Sequence, residues 1–89
     1  MSLFKNKNEV AIMVDGGYLP REVTIKAGKP ATFTFTRVSD AGCVDEIIFN
    51  GEKRALPIGV PVSFDFMPEA GEHVWTCGMQ MASGKYIAK

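Results

Sequence analysis

The sequence predicts an all-β fold, a single antiparallel Greek-key sandwich of about seven strands. Two observations carry that prediction and a third confines it. Short runs rich in Val, Ile, Phe and Thr recur between Gly or Pro punctuation, the pattern of strands joined by turns, and helical periodicity is hard to find anywhere. Within the clearest runs apolar and polar residues alternate, as a strand with one face in a core and one in water requires. The chain has 89 residues, 46% of them hydrophobic, which supplies one core and so one domain over residues 1–89.

The elements follow in order. Glu9 to Val14 is the first strand, Gly16-Gly17-Tyr18-Leu19-Pro20 a turn or crossing segment, and Glu22 to Ala27 the second strand, closed by the Gly28-Lys29-Pro30 turn. Ala31 to Val38 is the clearest strand, because Ala31, Phe33 and Phe35 alternate with Thr32, Thr34 and Thr36. Val44 to Phe49 follows, and Leu56-Pro57-Ile58-Gly59 reads as a connection. Val62, Phe64 and Phe66 alternate with Ser63 and Asp65 in the next strand. Gly71 to Cys77 and Lys85 to Ala88 complete the set, separated at Ala82-Ser83-Gly84 by a turn. Trp75 reads first as a large core side chain.

Charge and segment composition exclude several functions. Ten basic and ten acidic residues give a formal net charge of zero, so no broad positive field exists to hold nucleic acid or anionic lipid. The opening Met1 to Asn8 has lysines without a following apolar run, which predicts neither a signal peptide nor a membrane span. A soluble domain cut from a longer protein is equally consistent with that opening. No base stands beside a nucleophile, so an enzyme is not expected.

The chemistry concentrates in Thr76-Cys77-Gly78-Met79-Gln80-Met81, a thiol and two thioethers at the end of a predicted strand. An extended chain would hold the Cys77 and Met79 sulfurs roughly 6.6 Å apart by rise alone. Gly78, free to take positive φ, is expected to curl the chain so that both face one point. Thiolate and thioether are soft donors that favour Cu(I) and offer little to Mg or Ca. Zinc would want a second Cys or a His at finger spacing from Cys77, and none is there.

Cys43 is the only other cysteine, 34 positions before Cys77 and at the start of a predicted strand. If both thiolates meet at one end of the sandwich, they can hold one Cu(I) or bridge two, with the methionines completing the coordination. A disulfide between the sheets and a pair of buried, unreactive thiols are the structural alternatives. A blue-copper centre needs two imidazoles, a thiolate and a weak axial methionine. The chain has one histidine, His73, four residues before Cys77 and so roughly 13 Å from it along a strand.

These residues resemble the cupredoxin-like domains of bacterial Cu(I) chaperones and of the amino-terminal regions of some copper-exporting P-type ATPases. The resemblance runs through Gly17-Tyr18-Leu19-Pro20, Lys26-Ala27-Gly28-Lys29-Pro30, Phe35-Thr36-Arg37, Gly42-Cys43-Val44-Asp45-Glu46, Leu56-Pro57, Pro68-Glu69-Ala70-Gly71-Glu72 and Cys77-Gly78-Met79-Gln80-Met81 with Gly84-Lys85. Its specific part is Cys43 with Cys77-x-Met79-x-Met81. It implies a cupredoxin-like sandwich in which Cys43, Cys77, Met79 and Met81 are the ligands of a Cu(I) site for one or two ions. Glu22, Asp45 and Glu46 are the candidates for an assisting carboxylate.

The function implied is copper chaperoning, efflux and resistance, with Cu(I) transferred by ligand exchange. A redox cupredoxin and a disulfide-pinned interaction sandwich are the other classes kept open. The expected partners are a copper-donor or copper-acceptor protein, or the membrane transporter to which the domain belongs. A monomer at the cytoplasmic face of the cell membrane is the expected setting.

Overall fold

In the computed structural model, which describes residues 8–39, 45–78 and 82–89, strand alternation becomes a two-layer sandwich. Nine strands are present among the described residues: β1 (Glu9–Val14), β2 (Tyr18–Leu19), β3 (Glu22–Ile25), β4 (Ala31–Arg37), β5 (Glu46–Phe49), β6 (Glu52–Ala55), β7 (Val62–Phe66), β8 (Gly71–Cys77) and β9 (Ser83–Ala88). One sheet has the order β2-β1-β4-β7 and the other β3-β9-β8-β5-β6. No helix among the described residues is long and apolar enough to cross a membrane.

The all-β sandwich expected from the sequence is present, with two strands more than expected and mixed rather than wholly antiparallel sheets. β1 pairs with β4 in parallel, and β3 with β9 in parallel. β2 turns back antiparallel to β1, the chain crosses into the other sheet as β3 without reversing, and it reverses once more on returning as β4. Two reversals between β1 and β4 leave them running the same way, which makes them parallel. The added strands are β2, inside the segment read as a crossing, and β6, whose four residues are all exposed.

β4 shows why these residues form these elements. Ala31, Phe33 and Phe35 are buried while Thr32, Thr34 and Thr36 are half-buried on the outer face. There Thr32 donates to Asp65 at 2.7 Å, and Thr34 and Ser63 share a bond of 2.9 Å, both across to β7. Inside, Phe33 packs against Phe49, Phe66, Trp75 and Tyr86 with centroids 5.3 to 6.1 Å apart. Phe35 meets Tyr18, Phe49, Phe64 and Trp75 at 5.5 to 6.1 Å. Each such ring contributes about 1.5–3 kcal/mol by burial, and the mostly edge-on geometry suits the quadrupoles. Trp75 is a core side chain, as expected.

These ring contacts also set the two ends of the sandwich. Phe33 lies level with Tyr86, which pairs with His73, while Phe35 lies level with Trp75 and Tyr18. β4 and β8 therefore finish at the same end, called the upper end here, where β5 and β9 begin. The lower end is pinned by buried Asn8, which donates to the Lys26 and Lys29 carbonyls at 3.0 Å each and accepts from the Lys26 amide at 2.9 Å.

Candidate metal centre

Cys77 is the last residue of β8, at the upper end, and its side chain shares the inner face with Trp75 two positions earlier. It is fully buried and pairs with Ile47 of β5. Its amide donates to the Ala82 carbonyl at 3.0 Å, so the reversal between β8 and β9 closes immediately beyond the sulfur. Ser83 and Gly84, read from sequence as part of a turn, are the first residues of β9. Cys43, Met79 and Met81 lie outside the described residues.

Gly78 corrects one expectation. Its φ is outside the left-handed region, so positive φ is not the reason for a glycine there. A Cβ at residue 78 would stand 2.5 Å from Glu46 Oε1 and 3.0 Å from Glu46 Cβ. The glycine is needed because Glu46 comes that close, its carbonyl accepting the Gly78 amide at 3.0 Å.

The candidate carboxylates stand away from the buried sulfur. Glu46 precedes inward-facing Ile47 and so occupies the outer face, half-exposed and 3.6 Å from Lys53 Nζ. Asp45 is exposed, its carbonyl accepting the Leu56 amide at 2.8 Å. Glu22 pairs with Lys85, which pairs with Val74, placing it roughly 10 Å across and roughly 10 Å down from Cys77. No group of three His, Cys, Asp or Glu side chains able to hold a metal is found among the described residues.

His73 sits toward the lower end. Its ring stacks on Tyr86 at 4.8 Å and 25°, and Nε2 is 2.9 Å from the Glu69 carbonyl. Tyr86 in turn donates to Asn50 at 2.9 Å, and burial, with a smaller push from Glu69, holds its hydroxyl above the ordinary tyrosine pKa.

Sequence reasoning missed Tyr18. It was read as part of a turn, yet as a β2 residue it is buried at the upper end, edge-on to Phe35 and, at 5.7 Å and 81°, to Trp75. Its hydroxyl is buried with no hydrogen-bond partner among the described residues, as is Trp75 Nε1. Burial, and after it the charge of Cys77, pushes the Tyr18 phenol far above its ordinary pKa. Nothing in the local pattern Gly17-Tyr18-Leu19-Pro20 signals this placement.

The sequence profile of the cupredoxin-like domain matches residues 2–88. No curated protein matches the sequence. Among solved structures, the chain is similar to the metal-binding domain of the Cu(I)-exporting P-type ATPase CopA of Streptococcus pneumoniae D39 with Cu(I), at 27% identity and a TM-score of 0.86, covering 97% of this chain and 91% of that one. It is also similar to a copper-binding protein solved in its apo form by NMR, at 34% identity and a TM-score of 0.84, covering 97% and 93%. Amicyanin from Paracoccus versutus shares the fold, at 22% identity and a TM-score of 0.65, covering 96% and 85%. With its two packed sheets, and a profile match over all but the first and last residues, the chain belongs to the cupredoxin-like domain family.

Proposed function

We propose that this domain binds Cu(I) as cargo through Cys43, Cys77, Met79 and Met81 and passes it on by ligand exchange, in copper chaperoning or efflux. The observation that carries the reading is the separation of the chain's one imidazole from its buried sulfur. His73 lies four residues below Cys77 on β8, roughly 13 Å away by strand rise, and its ring is engaged by Tyr86 and Glu69. A site at Cys77 therefore draws on sulfur, and soft sulfur donors favour the reduced ion. The chain position of Cys43 agrees with this, since Glu46, three residues later, bonds Gly78, the residue after Cys77. The likeness to a Cu(I)-bound metal-binding domain of an exporting ATPase, and to a copper-binding protein at 34% identity, supports the reading.

In this reading the sandwich acts as a rigid holder. Cys77 loses its proton to solvent as the copper–sulfur bond forms, and the thioethers complete the coordination. An acceptor protein, or the transporter of which the domain is part, then displaces the donors one at a time. The proposed setting is the cytoplasmic face of a membrane, in a non-catalytic domain.

The test is an anaerobic titration of the reduced protein against a Cu(I) chelator, with Zn(II) as competitor. Tight Cu(I) uptake undisturbed by excess Zn(II) is expected. Preference for Zn(II), or failure to compete with the chelator, would overturn the reading.

A further inference from the structure

The upper end of the core contains a donor that packing among the described residues does not use. Tyr18 is 3% exposed and its hydroxyl has no partner among the described residues. A buried hydroxyl left unpaired is destabilising, and a phenylalanine would fill the same space without that penalty. Two neighbours define what the hydroxyl faces. Tyr18 packs edge-on to Trp75, whose next inward neighbour on β8 is Cys77. The other orphaned donor, Trp75 Nε1, belongs to the indole edge that lies over Gly84 of β9, since Trp75 Cε2 and Cζ2 occupy the space beside a Cβ there. Tyr18 pairs with Val14, which pairs with Arg37, two residues beyond Phe35 as Cys77 is two beyond Trp75, so Tyr18 and Cys77 are inner-face residues at one level of the facing sheets, in keeping with the effect of the Cys77 charge on the phenol.

Resting on the Cu(I) reading above, we propose that the Tyr18 hydroxyl is a positioning group held in reserve for the Cys77 sulfur, to which it donates a hydrogen bond once copper has replaced the thiol proton. A neutral thiol is a weak acceptor, whereas a thiolate carries charge, and hydrogen bonds to charged groups are about twice as strong as neutral ones. The donor therefore contributes little to the metal-free fold and favours the loaded state. Bonding the sulfur takes only a local approach of the two groups, because the ring is already held at that end of the core between Phe35 and Trp75 while its hydroxyl is unpaired among the described residues.

The test is Tyr18→Phe, read in two ways. In the metal-free protein the variant should melt at the same temperature as the parent or higher, since an unpaired hydroxyl has been removed. Its Cu(I) affinity, measured by chelator competition, should fall about tenfold, the equivalent of 1.4 kcal/mol, with a shifted near-ultraviolet copper–thiolate band. Parent-like affinity and an unmoved band would overturn the proposal. A lower melting temperature of the metal-free variant would also overturn it, by showing that the hydroxyl serves the fold. Absence of Cu(I) binding in the parent protein is a different result, which removes the copper reading itself and this role with it.

Discussion

The amide of Gly78 donates to the carbonyl of Glu46 at 3.0 Å, and the Glu46 side chain occupies the space that a Cβ on residue 78 would need. This contact joins the start of β5 to the residue that follows the buried sulfur, so the hairpin mouth depends on a side chain from another strand. Gly78→Ala should lower stability by about 1 kcal/mol, because Glu46 Oε1 can swing away while its Cβ, 3.0 Å off, cannot. Glu46→Gly, which removes that Cβ, should recover part of the loss when added to Gly78→Ala. A double-mutant cycle by urea unfolding measures this, and strict additivity would show that the two residues do not press on each other.

Gly84 faces a harder obstacle. A Cβ there would overlap Trp75 Cζ2, stand 2.6 Å from Cε2 and lie 3.0 Å from the Arg21 carbonyl oxygen. Neither a core indole nor backbone can move cheaply, so Gly84→Ala should cost about 2–3 kcal/mol, more than Gly78→Ala. Thermal unfolding of the two variants side by side gives the ranking, and tryptophan emission should shift in the Gly84 variant alone.

Tyr18 also predicts a pH dependence. Burial raises its folded-state pKa above the ordinary value of 10.0, so the folded protein holds the phenolic proton more tightly than the unfolded chain does. The contribution is complete below pH 10 and is lost as pH rises beyond it, at up to about 1.4 kcal/mol per pH unit. Unfolding free energies measured at about pH 9 and about pH 11 should fall further for the parent than for Tyr18→Phe. Equal falls would place the alkaline loss in other groups.

Met79 and Met81 are proposed as metal ligands on the softness of their thioethers. Replacing both with Leu conserves apolar volume and should change stability by less than about 1.5 kcal/mol. Cu(I) affinity should nevertheless drop by about tenfold or more, 1.4 kcal/mol per decade. A variant that melts early yet keeps parental copper binding would make the two methionines packing residues.

What could be read from the sequence follows physical lines. The alternation of Phe33 and Phe35 with threonines, and of Phe64 with Ser63 and Asp65, is fixed by burial on one face and gave the sandwich directly. β6 was invisible because Glu52-Lys53-Arg54-Ala55 buries no face and is a strand only through its pairing with β5. Parallel pairing was invisible because it depends on which sheet receives each strand after a crossing, a tertiary choice that no local pattern records. Donor softness is a property of residue type, so Cys43, Cys77, Met79 and Met81 could be proposed as ligands from the sequence, and of the four the structure describes Cys77, buried at the end of β8. The Tyr18 hydroxyl was not legible, since its place opposite β8 comes from β2 pairing with the end of β1 in the facing sheet.

The central claim is that copper in this domain is held by sulfur alone. X-ray absorption at the copper edge of the Cu(I)-loaded reduced protein, recorded beside Cys43→Ser and Cys77→Ser variants, tests it most directly. The account predicts a first shell of sulfur scatterers without the outer-shell pattern of an imidazole, and loss of sulfur from that shell in each cysteine variant. An imidazole signature, which only His73 could supply, or a shell unchanged by Cys77→Ser, would contradict it.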